Sequence, residues 1–600
     1  MACLLLALAF AAQLPGAAGG PAGGVHYTLA VDSIGATSAR VEIEVPDAPD
    51  TLRLALPVHP EYDDRFWRYV RDLHVERGGR EVPIVREDSN VWRAAGHGNA
   101  IVRYVVEPPF PEAGRGSWTA FLSTGGGLLG GPHTFMYMLG HERAAARATV
   151  LLPNGWTVAT GLSPRGGGEY AARDARDLID SPIMVGPIRR WTFAVDGVPH
   201  EVAYLPAVGG VQFDTAALVA GLARFATEAH RVFGVFPYRR FVFLVQEGAG
   251  GGLEHGTSVS LGLSATDMAS GGSDFYSDAA HEYFHAWNAV ALRPRGWGGL
   301  SARAPGGTHE LWWMEGVTMY YASTLSRRAM LPVEWPTRRE ELAHDIGQYL
   351  DNPSNALVSP EDASWWSGTP SARRGDFTPD YYLQGKLLGT VLDLQIRAAT
   401  RGRRSLDDAM RRLFTANREP RGYSAADIER AVAAACQCPM RQFFADNVRH
   451  ASTIDFDAAL RGAGLRAEVA VVPAVDSAGR PLPDIRVWAS MPRGVRGPRL
   501  FVTQPDGAWA RAGLHTHDVI VSWNGAPLAG FDDFRTKLRR LAAGDSVAID
   551  YLRDDVPGTA TVRIDGYDVH RVRLVMLPGA GLGAAAIRRA ALLEAPPIER

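Results

Sequence analysis

His281, Glu282 and His285 form the pattern His-Glu-x-x-His inside the run "SDFYSDAAHEYFHAWNAVA", whose apolar spacing predicts a helix that Ser or Asp could cap. Residues four apart lie on one face of a helix, so the two imidazoles can bind one metal ion. Glu282 lies between them and can reach a metal-activated water as general base. About 0.02–0.03 chance matches are expected in such a chain. The pattern therefore predicts a zinc site, with surface histidines on a helix as the alternative.

A catalytic zinc needs a third protein ligand and an open position. Glu315 lies in the run "LWWMEGVTMYY", which predicts a second helix. A carboxylate in such an apolar run is costly to bury unless it is paired or metal-bound. Glu310 is the rival, but it lies at the helix start, where a carboxylate is an ordinary cap. We predict one Zn²⁺ per chain on His281, His285 and Glu315; a third histidine soon after His285, as metzincins need, is missing.

The surrounding pattern predicts a multidomain α+β protein. Residues 25–195 alternate apolar and polar residues in short runs and predict a β-rich domain, in which the glycines of 125–131 form a loop. Residues 196–330 combine helices with the strand "RRFVFLVQ" and carry the metal motif. Residues 331–465 are predicted to be all-helical, and residues 490–575 return to strands with one short and one longer helix. The Ala-rich tail after 576 is expected to pack loosely.

Composition restricts the function further. The 600 residues carry a formal net charge of -3 and are 46% hydrophobic, so they can form several cores but give no reason to expect a nucleic-acid partner. The apolar run and small residues of 1–18 predict a signal peptide, hence a secreted or periplasmic protein with no transmembrane segment in the mature chain. Cys436 and Cys438 are expected to be buried free thiols, although a strained mutual disulfide is open.

Four segments in order, "GGLEHGTS", "HEYFHAWN", "WWMEGVTMYY" and "YYLQGKLLG", resemble the glycyl aminopeptidase family of gluzincin zinc metallopeptidases. The resemblance covers about 25–575. It implies an N-terminal β domain, a thermolysin-like catalytic domain, a helical domain and a PDZ domain.

The resemblance also implies roles for individual residues. Gly252-Leu253-Glu254 looks like the exopeptidase motif that runs along the substrate on an edge strand, with Glu254 binding the substrate's α-ammonium. The alternative is an exposed glutamate in a glycine-rich loop. Tyr382, three residues before a glycine, would hydrogen-bond the developing oxyanion, and Tyr381 is its rival. The two side chains point about 100° apart on a helix, so only one can face the zinc. Gln384 stands where a lysine is expected.

The segment "AWARAGLHTHDVIVSWNGAPL" resembles a PDZ domain of the bacterial protease type. His517 stands where a glycine is usual, and Gly494-Val495 is a candidate for the carboxylate-binding loop. PDZ domains bind extended C-termini by strand addition, so a substrate tail or the enzyme's own chain is the expected partner. A purely structural appendage is the alternative.

Together these features predict a zinc aminopeptidase that acts on peptides by metal-activated water attack. The resemblance alone implies that it removes small N-terminal residues, Gly or Ala. An endopeptidase on the same scaffold is one alternative. A PDZ-centred peptide-binding protein with an inactive peptidase domain is the alternative from another class. The position of Glu254 relative to the metal site separates the first two.

Overall fold

The computed structural model describes residues 24–593, apart from 59–65, 110, 112–114, 208–209, 211–212, 299, 303–306, 332, 334, 368–378 and 491–496. The predicted signal peptide and the candidate loop at Gly494-Val495 lie outside the described residues. Among the described helices, none has the length and apolar character needed to cross a bilayer.

The N-terminal part is β-rich, as predicted, and has its own hydrophobic core. Its largest sheet has the strand order Ser163–Gly166, Glu169–Ala172, Ala146–Leu151, Val25–Ala30, Ala39–Val45, Ala100–Val106, Val70–Arg77 and Arg80–Glu81. A second sheet has the order Phe121–Ser123, Gly126–Gly130, Pro182–Gly186 and Thr157–Thr160. A third has the order Tyr137–Met138, Thr51–Ala55, Val91–Ala95 and Ile84–Asp88. Short helical turns at Phe66–Tyr69 and Gly131–His133 and the helix Ala175–Asp180 complete this part.

The loop predicted for the glycines of 125–131 is wrong. Gly126–Gly130 is a fully buried strand between two neighbours. A Cβ on Gly126 would lie 2.6 Å from the Val185 carbonyl oxygen, and one on Gly127 would lie 2.6 Å from that of Phe121. The glycines are therefore required by the close approach of neighbouring backbone, which is another use of glycine besides turns.

The sheet of the catalytic part has five strands in the order Arg189–Val195, Val198–Leu205, Phe241–Glu247, Ser258–Leu263 and Gly252–Glu254. Its first strand lies ahead of the predicted boundary at 196. A short ladder joins Arg115–Gly116 of the N-terminal part to Ala249–Gly250. The helices of this part are Thr215–Phe233, Ala265–Ala269, Ser273–Phe284 and Val317–Arg328, with π-helical turns at Ala286–Ala291 and Trp312–Gly316.

The described residues of 331–464 form helices joined by loops, with no strand among them, as predicted. The helices are Arg338–Asp351, Ser354–Leu357, Pro360–Ser367, Tyr381–Thr400, Leu406–Asn417, Ala425–Cys436, Arg441–Phe444 and Phe456–Arg461, with a π-helical turn at Ala445–Arg449. They share one hydrophobic core with the catalytic sheet and its helices. The metal-binding residues therefore lie inside a single packed body rather than on a separable small domain.

The C-terminal part has two sheets. One has the order Val487–Ser490, Arg499–Val502, Val519–Trp523, Ser546–Arg553 and Val556–Arg563, with Ala526–Pro527 beside the third strand. Its helices are Ala508–Arg511 and Phe531–Arg539, and it has its own core. His517 has a φ of 80°, the left-handed conformation that a glycine favours. The strand Asp568–Met576, which begins inside the predicted 490–575 segment, pairs instead with Leu465–Pro473.

Two other expectations are corrected here. The described part of the tail after 576 is not loosely packed: it forms the helix Leu582–Leu592, whose Ile587 and Leu592 enter the core shared with the catalytic sheet. Cys436 and Cys438 are bonded to each other rather than free. Gln437 between them takes a left-handed conformation, φ 59°, at the end of its helix, and this brings the two Cα atoms to 5.1 Å, within the usual range for a disulfide.

Candidate metal centre and substrate cleft

The three predicted metal ligands converge on one point. The Nε2 atoms of His281 and His285 lie 2.9 Å apart, and the Glu315 Oε2 atom lies 3.2 Å from the first and 3.1 Å from the second. All three residues are buried. His281 lies on the helix Ser273–Phe284, His285 directly follows it, and Glu315 lies in the π-helical turn before Val317–Arg328.

These residues fit a zinc ion. The His285 Nδ1 atom lies 3.0 Å from the Asn288 carbonyl oxygen, which only accepts hydrogen bonds. Nδ1 therefore carries the proton, and the Nε2 lone pair faces Glu315 and His281. Two imidazole nitrogens so close to one carboxylate oxygen require a shared cation or proton. Two histidines and one carboxylate are a catalytic zinc set, and ligand distances of about 2.0–2.2 Å suit a triangle of this size.

Burial and the neighbouring charges together shift the pKa values of Glu315 and His281. Burial alone would raise the pKa of Glu315, but the two histidines lower it below its usual range. Burial lowers the pKa of His281, and the nearby His285 adds to that effect. Glu315 is therefore held as a carboxylate, which is the form that binds metal.

Asn288 is a positioning residue that the sequence interpretation missed. Its buried side-chain amide donates to the carbonyl oxygens of Trp313 and Met314 at 3.1 and 3.2 Å. It thereby ties the end of the helix before His285 to the turn that carries Glu315. The sequence feature that could have indicated this role is an asparagine three residues after His285 in an otherwise apolar run, because a buried amide needs hydrogen-bond partners.

The helix Ser273–Phe284, called the histidine helix below, lacks the expected cap by a Ser or Asp at its start. The helix begins after Gly272 without a side-chain cap on that residue. Asp267, from the preceding short helix, accepts hydrogen bonds from the backbone N–H groups of Asp274 and Phe275 at 3.1 and 2.9 Å. The free N–H groups of the first turn are thus satisfied across a loop.

Glu282 is partly buried and faces the edge strand. A Cβ added to Gly252 would lie 2.2 Å from the Glu282 Cγ, so only a glycine leaves room for this side chain. Burial raises the pKa of Glu282 well above its usual range, and the nearby Glu254 adds to the shift, against His285.

Glu254 is brought to the same cleft. The strand Gly252–Glu254 is the edge strand of the catalytic sheet, as the resemblance implied, and pairs with Ser258–Leu263. Ligand atoms of Glu254, Glu282 and His285 all lie within 4.8 Å of one another. Burial raises the pKa of Glu254, against the effect of His285. This set is not a second metal site beside the first, because His285 has only one free lone pair to offer.

Tyr382, rather than Tyr381, faces the metal ligands. The Tyr382 ring centroid lies 6.1 Å from that of His281. Tyr381 packs in an apolar cluster with Leu311 and Met314, and its hydroxyl accepts a hydrogen bond from Ser367 at 3.3 Å.

The crossing of two helical segments fixes this placement. A Cβ on Gly385 would lie 1.9 Å from the Trp312 carbonyl oxygen, and one on Gly316 would lie 2.4 Å from the Gly385 Cα. Gly316 and Gly385 thus allow the backbones of the two helical segments to come into contact next to Glu315 and Tyr382. Gln384, which stands where a lysine was expected, is buried and donates a hydrogen bond to the Val358 carbonyl oxygen at 3.3 Å.

Family models match three segments of the chain. Residues 26–187 match the peptidase M61 N-terminal domain, residues 274–388 match the M61 glycyl aminopeptidase, and residues 494–564 match the PDZ domain. The first two of these models describe peptidase M61, the glycyl aminopeptidase family that the sequence motifs resemble. These matches support a metallopeptidase, and the predicted multidomain α+β architecture with a C-terminal PDZ domain is confirmed.

Solved structures extend the fold comparison. An aminopeptidase N family protein from Idiomarina loihiensis has a TM-score of 0.74 at 20% identity, covering 95% of this chain and 100% of that chain. A mutant M1 zinc metallopeptidase from Deinococcus radiodurans, bound to a Tyr-Ser-Ala substrate, has a TM-score of 0.44 at 16% identity, covering 69% of this chain and 93% of that chain. No curated protein sequence matches significantly.

Glu310, the rival ligand, is not part of the metal triangle. Its carboxylate accepts a hydrogen bond from the Thr308 hydroxyl. Among the described residues, the groups that could hold a metal do not include it. Glu310 therefore serves the start of its helix, as a carboxylate there ordinarily does.

Proposed function

We propose that this protein is a zinc-dependent aminopeptidase. The observation that supports the proposal is the Glu254 carboxylate within 4.8 Å of Glu282 and His285, on the edge strand beside the metal triangle. A fixed carboxylate at that distance binds a free α-ammonium and leaves no room for a chain that continues in that direction. This favours removal of one N-terminal residue over internal cleavage.

The ligands His281, His285 and Glu315 would hold one Zn²⁺. When bound, zinc acts as a Lewis acid that lowers the pKa of water toward neutrality and polarises a carbonyl group. Glu282 accepts the proton of the attacking water and passes it to the leaving amine. The Tyr382 hydroxyl donates a hydrogen bond to the oxygen on which negative charge develops. Glu254 orients the substrate by its amino terminus, which places the first peptide bond at Glu282.

The preference for small N-terminal residues is supported by the family match, whose description is a glycyl aminopeptidase. We propose that Gly and Ala are the preferred first residues. A series of peptides that differ only in the first residue, from Gly and Ala to Leu and Phe, tests this by comparison of kcat/KM. Equal values across the series would contradict the preference while leaving the aminopeptidase reaction intact.

The reaction itself is tested with a free-amine peptide and mass spectrometry of the released residue. Wild type with zinc should release a single N-terminal residue, and chelation should abolish this release until zinc is added back. Glu282→Gln should keep its zinc and lose about 10²–10⁴-fold in kcat because the proton acceptor is gone. Glu310→Gln is the matched control, since this carboxylate lies outside the triangle, and it should keep both zinc and activity. Undiminished turnover by Glu282→Gln would refute this mechanism.

Export remains a proposal that the Cys436–Cys438 bond supports, because such bonds persist mainly in oxidising compartments. N-terminal sequencing of the mature protein and cell fractionation test it. We also propose that the PDZ domain takes an extended peptide; titration with C-terminal peptides tests this role separately from catalysis.

A further inference from the structure

The strand that carries Glu254 is held from outside its own domain. Gly252–Glu254 has three residues, and its sheet partner is Ser258–Leu263 on one side only. Among the residues that the structure describes, no strand pairs with its other edge. A short edge strand with one paired side has few bonds to keep its last residue in place. Glu254 is that last residue, so its position depends on the turn that follows.

Asp180 of the N-terminal part binds that turn. It is the last residue of the helix Ala175–Asp180, and its Oδ2 accepts a hydrogen bond from the Gly256 N–H at 2.7 Å. Its Oδ1 lies 3.7 Å from the His255 Nδ1. These two partners are the first and second residues after Glu254. Burial alone would raise the pKa of Asp180, but His255 and Gly256 hold it below its usual range, so the group is a carboxylate.

Two other bonds from the N-terminal part hold the same region. The Thr257 hydroxyl donates to the Gly161 carbonyl oxygen at 3.0 Å. At the opposite end of the glycine-rich segment, the Ser117 N–H donates to the Gly250 carbonyl oxygen at 3.0 Å, beside the ladder of Arg115–Gly116 with Ala249–Gly250. Hydrogen bonds from the N-terminal part therefore hold the chain in place on both sides of Gly252–Glu254.

We propose that Asp180 is a positioning residue for amino-terminus recognition, acting through Gly256 and His255 on Glu254. The inference rests on the proposed aminopeptidase function. The bond from Asp180 ends two residues from Glu254, and a strand advances about 3.3 Å per residue, so a released turn would move the carboxylate relative to Glu282. Precise placement of a charged partner governs both affinity and reaction geometry.

The test compares free-amine and acetylated peptides in wild type, Asp180→Ala and Asp180→Asn. Asp180→Ala should raise KM for the free-amine peptide about tenfold, the factor that a lost charge-assisted hydrogen bond gives, with a smaller change in kcat. Asp180→Asn keeps an oxygen for the Gly256 N–H and should recover part of that loss. Thr257→Val removes the second bond and should shift KM in the same direction. Asp177→Asn is the matched control, because its carboxylate accepts bonds from Arg173 within its own domain.

Hydrogen exchange of the amides of 252–258 supplies a readout that does not need activity. Faster exchange there in Asp180→Ala, with an unchanged zinc content and the KM shift, supports the inference. Unchanged exchange with unchanged KM overturns it, and so does an equal loss of kcat on all substrates together with loss of zinc. Failure of the proposed function would appear in wild type itself, as equal cleavage of the acetylated peptide, whereas failure of this inference would appear only in the variants.

Discussion

At the scale of single residues, two carboxylates with similar surroundings have different proposed roles because different elements carry them. Glu282 lies on a helix between His281 and His285, and we propose that it exchanges a proton with the attacking water. Glu254 lies at the end of an edge strand. The backbone N–H and C=O groups of an edge strand can pair with an extended peptide. Position along the cleft, rather than chemical type, separates proton transfer from substrate recognition.

The two adjacent tyrosines allow a direct test of the oxyanion assignment. Tyr382→Phe should lower kcat about 10²-fold with little change in KM, because the hydrogen bond forms mainly in the transition state. Tyr381→Phe removes a hydroxyl that contacts Ser367 and should change kcat little. Steady-state kinetics on one free-amine peptide decides between them, and a larger loss in Tyr381→Phe would reverse the assignment.

Residue types and spacing were sufficient to predict that His281, His285 and Glu315 converge on one point. The four-residue spacing on a helix fixes the two histidines, and a carboxylate in an apolar run has few uses other than the third ligand. The cap by Asp267 and the role of Asn288 could not be predicted in the same way. Both depend on bonds that cross a loop or join two helices, and such partners are set by the packing rather than by the local pattern.

At the scale of elements, the contact between Gly316 and Gly385 sets how closely Glu315 and Tyr382 approach. Gly385→Ala should lower both the melting temperature and kcat/KM, because the added Cβ would meet a backbone carbonyl that cannot move without its helix. Gly583→Ala is the matched control: no heavy atom lies within 4 Å of its added Cβ, so it should be neutral or slightly stabilising. A Gly385→Ala protein with normal stability and activity would contradict this role of the helix crossing.

A buried histidine beneath the histidine helix predicts a pH dependence of stability. The His200 Nε2 atom lies 3.0 Å from the Tyr283 hydroxyl oxygen and 3.2 Å from the Tyr238 hydroxyl oxygen. Burial lowers the pKa of His200 to about 4, below the value of about 6.5 expected in the unfolded chain. The unfolded chain therefore takes up a proton first as the pH falls. The contribution of neutral His200 to the free energy of unfolding is complete above about pH 6.5 and is lost progressively toward pH 4.

Urea unfolding at pH 7.5 and pH 4.5, in chelator so that metal loss does not contribute, measures this effect. His200→Gln should be less stable than wild type at pH 7.5, and the difference should shrink by up to about 3 kcal/mol at pH 4.5. A difference that stays constant with pH would show that His200 keeps an ordinary pKa.

The helices and alternating strands follow their sequence patterns, but the buried glycine strand Gly126–Gly130 and the terminal helix Leu582–Leu592 do not. Glycine has no side chain whose periodicity could indicate a strand, so its need is visible only when the neighbouring backbone is known. The terminal helix is rich in alanine, and its few larger apolar residues reveal a packed face only against a partner helix.

At the scale of the whole molecule, the N-terminal part takes part in the catalytic cleft. A small apolar cluster joins Phe121 and Met184 of that part to Leu205 and Val242 of the catalytic sheet. Together with the bonds from Asp180 and Ser117, it makes the edge strand a shared structure of two parts of the chain. Sequence patterns within one segment carry no information on such contacts, so this dependence was not predicted.

Metal binding should stabilise the catalytic body as a whole, since the three ligands join two helical segments of one core. Chelation should lower the melting temperature of wild type, and zinc should restore it in a concentration-dependent way. His285→Ala is the control, and its melting temperature should respond to neither treatment. Identical responses of wild type and this variant would show that zinc stabilises the protein elsewhere.

The account depends most on a zinc centre that recognises a free amino terminus through Glu254. The most direct measurement is the ratio of kcat/KM for a free-amine peptide to that for its acetylated form, in zinc-loaded wild type and Glu254→Gln. We expect wild type to cleave only the free peptide and Glu254→Gln to lose most of that selectivity with its zinc retained. Equal cleavage of both peptides by wild type, or full selectivity in Glu254→Gln, would contradict the account.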